Sequence, residues 1–169
     1  IDINDHFKKM GLTDDEIVIV SPDEGSIKRA IGHVKRLGAR LAIVDKRRAS
    51  ATETKQENII GGPLDGRVAL MFDDMISTAG SICGAARLVQ EAGAREIHVA
   101  ATHGILCGPA LERIEDAPIT SVVLTDSVPV DGDRKIPQIQ ILTVAPLLAE
   151  AIKRIHHDQS ISAIFSSSV

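Results

Sequence analysis

The stretch Arg67-Val68-Ala69-Leu70-Met71-Phe72-Asp73-Asp74-Met75-Ile76-Ser77-Thr78-Ala79-Gly80-Ser81 decides how this chain is read. The run from Arg67 to Phe72, apolar after its first residue, predicts a strand covered on both faces, because no polar residue alternates within Val68 to Phe72. Two carboxylates, Asp73 and Asp74, end that run, and a turn of small and hydroxyl-bearing residues leads to a helix from Gly80 onward. Ile82, Ala85, Ala86 and Val89 then recur at helical spacing, and Gly93 closes the helix. A buried strand that passes through a turn into an amphipathic helix is the repeating unit of an α/β fold.

The same alternation extends both ways from this centre. Upstream, Ile17 to Val20 reads as a strand and Ile27, Ala30, Ile31 and Val34 as the apolar stripe of a helix stopped by Gly38, with a further strand from Leu41 to Val44. Downstream, strands are expected at Ile97 to Thr102, Ser121 to Thr125 and Ile139 to Leu142, with Pro109 at the first turn of a short helix. A terminal helix from about Pro146 to His157 carries Leu147, Leu148, Ala151, Ile152 and Ile155 on one face. The expectation is one domain over residues 1–169: a doubly wound, mostly parallel sheet with helices on both faces. Ligands in such sheets gather at the carboxyl ends of the strands. Lys46 to Gly66 breaks the rhythm, being polar, charged and without period, and reads as a long loop of the functional or disordered kind. The Ser166-Ser167-Ser168 end is expected to fray.

Composition narrows the function. With 169 residues, 44% of them hydrophobic, the chain supports one substantial core. Nineteen Lys plus Arg against 23 Asp plus Glu give a net charge of -4, which excludes a global basic field for a nucleic-acid backbone. Phe7, Phe72 and Phe165 are the three aromatics, too few for a base-stacking platform or to hold an adenine. Cys83 and Cys107 lack Cys-x-x-Cys spacing and read as buried free thiols in a reducing compartment. No run of about 18 apolar residues occurs, and the opening IDINDHFKKMGL is neither a signal nor a transit peptide, so a cytoplasmic protein is expected. The start at Ile1 rather than Met points to a processed or truncated chain.

Chemistry concentrates in a few positions. A helix start presents unpaired N–H groups and the positive end of the helix dipole, a site for phosphate. Ser77, Thr78 and Ser81 add hydroxyl donors, and Gly80 allows an anion to approach the backbone. The paired acids suit the vicinal hydroxyls of a sugar, or magnesium held directly or through water. Residues alone leave a plainer reading open, in which Ser77 or Thr78 is an N-cap and the acids form a solvated turn. Asp23 follows the first strand and either faces the same crevice or makes a turn with Pro22. Lys46 and Arg48 point the same way if that stretch is extended, or form an ordinary solvated basic pair. His103 reads as a hydrogen-bonded structural histidine and His156-His157 as a partly exposed helix end. Gly61 and Gly66 have Walker A spacing, but Arg67-Val68 stands where Lys-Ser/Thr is required and leads into a strand.

The 72–81 segment closely resembles the phosphoribosyl pyrophosphate-binding loop of type I phosphoribosyltransferases and phosphoribosyl pyrophosphate synthases. Val20-Ser21-Pro22-Asp23, Asp45-Lys46-Arg47-Arg48, Asn58-Ile59-Ile60-Gly61, Thr102-His103-Gly104, Gly108-Pro109-Ala110 and Ser160-Ile161-Ser162 resemble synthase segments in the same order, across nearly the whole chain. The resemblance implies a type I phosphoribosyltransferase-like fold. It implies that Asp73 and Asp74 hold the ribose hydroxyls of ribose 5-phosphate while Ser77, Thr78, Ala79, Gly80 and Ser81 wrap its phosphate. It implies a mobile catalytic loop over about 46–66 whose Lys46 and Arg48 reach the triphosphate of ATP, and Mg2+ as cofactor with Asp23 at the ribose or the metal. Ser160 and Ser162 resemble a pair that binds regulatory phosphate or ADP between subunits, so a homo-oligomer is implied. The first half of such a synthase, which supplies most of the ATP site, has no counterpart here.

Ser77 stands where many synthases carry Asp, Glu24 replaces a small or apolar residue, and Ser26 replaces a common Gly. Two rival readings are a non-catalytic synthase-associated regulatory protein and a phosphoribosyltransferase acting on a base. Retention of Lys46, Arg48, Asp73 and Asp74 argues against the first. The Lys46-Arg48 signature argues against the second.

Overall fold

The computed structural model describes residues 3–46, 57–130, 132 and 136–166. Its strands are β1 (Ile17–Ser21), β2 (Arg40–Lys46), β3 (Glu57–Gly61), β4 (Val68–Ile76), β5 (Glu96–Gly104), β6 (Ser121–Thr125) and β7 (Ile139–Leu142). They form one sheet in the order β3-β2-β1-β4-β5-β6-β7. Every neighbouring pair is parallel except β2 with β3. The helices are α1 (Ile3–Lys8), α2 (Ile27–Leu37), α3 (Gly80–Glu91), α4 (Ala110–Glu115), α5 (Ala145–His156) and α6 (Ser162–Ser166). The expected doubly wound α/β architecture is the one observed.

Strand alternation divides the buried side chains between two layers. Val18, Val20, Ala69 and Met71 pack with Ile82, Ala85, Ala86 and Val89 of α3 and with Ile114 of α4. Ile17, Ile19, Leu70 and Phe72 pack on the other face with Phe7 of α1 and with Ala30 and Leu37 of α2. Each fully buried aliphatic side chain contributes about 1.5–3 kcal/mol, so both faces of the central strands stabilise the sheet. Gly38 ends α2 at φ 67, a left-handed conformation that glycine adopts without a Cβ clash. The inward face of α2 is rotated from the expected stripe. Ile31 is 40% exposed, while the His33 ring stacks on Phe72 with centroids 3.6 Å apart.

Two expectations need correction. The stretch 46–66 is not a single loop, because Glu57–Gly61 pairs antiparallel with β2 from Ala42↔Gly61 to Lys46↔Glu57. Ile59 packs partly against the core and Leu64 is buried, which anchors the chain as far as β4. Residues 47–56 lie outside the described residues. Second, β4 and β5 do not stop at Phe72 and Thr102 but stay paired out to Ile76↔Gly104, so Asp73 and Asp74 are strand residues. The expected apolar face of α5 is present and stands open among the described residues, with Leu148 at 55% and Ile152 at 66% exposed. Among the described residues no helix is long and apolar enough to cross a membrane.

Candidate functional site

The order of the strands creates a crevice. From β1 the chain passes through α2 to β2 on one side, whereas from β4 it passes through α3 to β5 on the other. The sheet therefore changes direction between β1 and β4, and the carboxyl ends of these two strands diverge from their crossover helices. Asp23 follows β1 at this edge, and Asp73 and Asp74 occupy the end of β4. Beyond them a cleft of about 150 Å³ is lined by Asp73, Met75, Ile76, Ser77, Thr78, Ala79, Gly80, Ser81 and Ile82. Typical pockets for drug-sized ligands measure roughly 300–1,000 Å³. A phosphate-sized group suits the cleft better than a whole nucleotide.

The turn is built to leave the start of α3 open. Ala79 is the N-cap, at φ 59, and α3 has no side-chain cap. The plainer expectation of Ser77 or Thr78 as a capping residue is therefore not met, and the first N–H groups of the helix remain available to an anion. Ser77, Thr78, Gly80 and Ser81 are all exposed. The turn is braced from behind by the loop after β5: Ile105 and Leu106 N–H groups donate to the Ile76 carbonyl, and the Cys107 N–H donates to the Ser77 carbonyl, each at 3.0 Å. Arg113 of α4 donates to the Thr78 carbonyl at 2.9 Å. A Cβ on Gly80 would lie 3.3 Å from that guanidinium, so glycine there permits its approach.

A second arginine lies on the acidic side. Arg29 of α2 reaches Asp73 Oδ1 with Nη1 at 2.7 Å and Asp74 Oδ2 with Nη2 at 3.1 Å. Burial raises the pKa of Asp73 above the ordinary aspartate value, opposed by the Asp74 N–H and by Arg29. Asp74, more exposed, is lowered, first by its hydrogen bonding with Asp73 and further by Arg29. Arg29 and Arg113 were both missed in the sequence. The available signal was a cation on each of the two short segments, Ser21 to Arg29 and Gly108 to Arg113, that follow strands meeting at this edge.

The remaining candidates fall in several places. Asp23 accepts the Ser26 N–H through Oδ1 at 2.8 Å, capping a short 3-10 turn over Glu24–Ser26, and Glu24 is exposed. No cluster of three or more His, Cys, Asp or Glu able to hold a metal occurs among the described residues. The Asp23 carboxylate, which makes one such bond, has the donor chemistry to hold Mg2+ only with water and substrate phosphates completing the shell. Lys46 ends β2, three positions past the Ile43 that pairs with Ser21, which puts its backbone at the same carboxyl edge. Arg48 lies outside the described residues. His103 is hydrogen-bonded, as expected, through Nδ1 to Ser127 Oγ at 2.8 Å. Ser162 opens α6, so Ser160 and Ser162 do not have the extended geometry that would align them. Cys83 is a buried thiol, but Cys107 is partly exposed, its Sγ 3.1 Å from Ser77 Oγ at the edge of the turn.

Comparison with known proteins gives the family and the fold. Residues 49–166 match the family model described as phosphoribosyl synthetase-associated domain. The chain is 69% identical to a ribose-phosphate pyrophosphokinase of Rhodopirellula baltica over 96% of its own length and 52% of that protein. A phosphoribosylpyrophosphate synthetase structure from Mycobacterium smegmatis superposes with a TM-score of 0.83 at 32% identity, covering 92% of this chain and 50% of that one. An orotate phosphoribosyltransferase from Aeropyrum pernix, TM-score 0.51 at 17% identity over 80% of this chain and 64% of that one, shares the fold. The chain thus spans about half the length of the relatives it matches.

Proposed function

Because the chain belongs to the phosphoribosyl synthetase-associated domain family, we propose that it is the sugar-phosphate-binding part of a ribose-phosphate pyrophosphokinase. The observation that carries this reading is the Asp73-Asp74 pair placed beside an uncapped helix start at the switch point of the sheet. Acids accept hydrogen bonds from vicinal hydroxyls, and helix N–H groups with the Ser77, Thr78 and Ser81 hydroxyls receive a phosphate. One ligand satisfies both halves of the crevice: a pentose phosphate.

The reaction proposed for it is the one that the synthase resemblance implies. The anomeric hydroxyl oxygen of ribose 5-phosphate attacks the β-phosphorus of ATP in line. The bond from that phosphorus to the α,β-bridging oxygen breaks, AMP leaves with the oxygen, and the hydroxyl proton is released. No covalent enzyme intermediate is needed. Asp73, Asp74 and the 77–81 turn fix the acceptor, which makes the transfer effectively unimolecular. Lys46, whose backbone ends β2 at the carboxyl edge, and Arg48 offset charge spreading over the migrating group. Asp23, together with substrate phosphates, would hold Mg2+, which would supply further charge neutralisation on the triphosphate. Phe7 and Phe72 are 1% and 4% exposed, so neither offers a face to adenine, and the ATP base requires a surface beyond these residues.

Titration with ribose 5-phosphate tests the site, and AMP release tests the reaction. The 169-residue chain is expected to bind ribose 5-phosphate and to release negligible AMP, while fusion to the unmatched remainder of the Rhodopirellula baltica relative restores turnover. Rapid AMP formation by the chain alone would refute the half-enzyme reading. Ribose 5-phosphate binding no tighter than inorganic phosphate would refute the sugar assignment.

A further inference from the structure

We infer that Arg29 is a positioning residue for the acidic pair, holding Asp73 and Asp74 together so that both serve one sugar. The inference rests on the pentose-phosphate reading of the crevice.

Consecutive strand residues project to opposite faces of a sheet. Asp73 and Asp74 both lie within β4, so strand alternation by itself turns their side chains apart. The Arg29 guanidinium supplies their convergence, with Nη1 on Asp73 Oδ1 and Nη2 on Asp74 Oδ2 at 2.7 and 3.1 Å. A planar fork with fixed donors spans two carboxylates in a way that a lysine ammonium does not. Backbone bonds complete the arrangement: Asp73 Oδ1 also takes the Asp74 N–H, and Asp74 Oδ1 takes the Met75 N–H, each at 2.9 Å. Arg40 with Asp15 and Arg154 with Glu150 form ion pairs that do not involve the acidic pair. Arg29 also offsets negative charge where a phosphorylated sugar must approach two acids.

The test compares Arg29→Gln and Arg29→Lys with the parent chain, titrating ribose 5-phosphate and inorganic phosphate by calorimetry across pH 5 to 8. Arg29→Gln is expected to weaken ribose 5-phosphate about tenfold, the scale of a partly exposed charge-assisted bond, and to leave inorganic phosphate affinity unchanged. It should also move the low-pH loss of sugar binding to higher pH, because the acids lose the cation that favours their ionised form. Arg29→Lys should restore that pH limb but not the affinity. Retained phosphate binding shows that the variants are folded. Unchanged or tighter ribose 5-phosphate binding by Arg29→Gln would overturn the role, since the guanidinium would then be inert or a plug. Equal loss of both ligands would overturn it too, as general damage. A parent chain that binds phosphate but not ribose 5-phosphate would remove the reading of the site, and this role with it.

Discussion

Arg113 on α4 donates from Nη1 to the carbonyl oxygen of Thr78 at 2.9 Å, joining residues 35 apart in sequence. The bond fixes one peptide of the anion turn and brings a positive charge beside Gly80. Arg113→Ala is therefore expected to weaken phosphate binding about tenfold, the scale of a hydrogen bond to a charged group. Both groups are exposed, so global stability should change little. Calorimetric titration with inorganic phosphate, beside a thermal melt, checks both parts. Unaltered phosphate affinity would mean that the turn holds its shape without the brace.

The two thiols should behave differently. Cys83 is buried in the core and desolvation raises its pKa, which suppresses the reactive thiolate. Cys107 is partly exposed and its Sγ lies 3.1 Å from Ser77 Oγ. A disulfide-exchange reagent at pH 8 should label Cys107 much faster than Cys83, and saturating phosphate should slow that labelling. Mass mapping after partial labelling checks the order. Labelling of Cys83 first, or no protection by phosphate, would separate Cys107 from the site.

The centre of the fold was legible because Val68 to Phe72 and Ile82 to Val89 state their periods plainly. The acids and the turn could be read from the same stretch, since strand, carboxylates, hydroxyls and helix are contiguous there. Arg29 and Arg113 were not legible. A cation near a strand end is usually solvated, and only the strand order β2-β1-β4-β5 carries these two to one edge. β3 was hidden for a related reason. Its alternation is short, and what makes it a strand is pairing with β2 rather than propensity. The α5 stripe was legible as a stripe, but periodicity does not say what covers it.

Gly61 gives β3 a test. It sits at φ 122, and a Cβ there would lie 2.5 Å from the Leu41 carbonyl oxygen. The obstacle is backbone and moves only if the β2–β3 ladder shifts. Gly61→Ala should cost about 2 to 4 kcal/mol, combining a disfavoured φ with steric overlap. Urea denaturation measures the loss, and amide hydrogen exchange should show it first at Asn58 to Ile60. A cost below about 0.5 kcal/mol, the scale of a neutral surface change, would mean that this edge pairing is not formed as described.

His98 makes stability depend on pH in a stated direction. Its ring is buried beside Phe7, with Nδ1 2.8 Å from Ser121 Oγ and Nε2 3.2 Å from Glu96 Oε2. Desolvation lowers its pKa below the ordinary histidine value; Glu96 opposes that effect and His6 adds to it. In the unfolded chain the ring takes up a proton near pH 6.5, whereas in the folded chain it does so only at lower pH. Between those two values the unfolded state binds more protons, so stability rises with pH across the window. Read the other way, the contribution is complete above about pH 6.5 and is lost as the pH falls towards the folded value. One proton sets the largest slope, about 1.4 kcal/mol per pH unit. Urea denaturation from pH 7.5 to 5.5 should therefore show falling stability in the parent chain and a shallower fall in His98→Gln, whose amide keeps a polar contact without titrating. Parallel pH profiles for the two proteins would remove His98 as the source of the dependence.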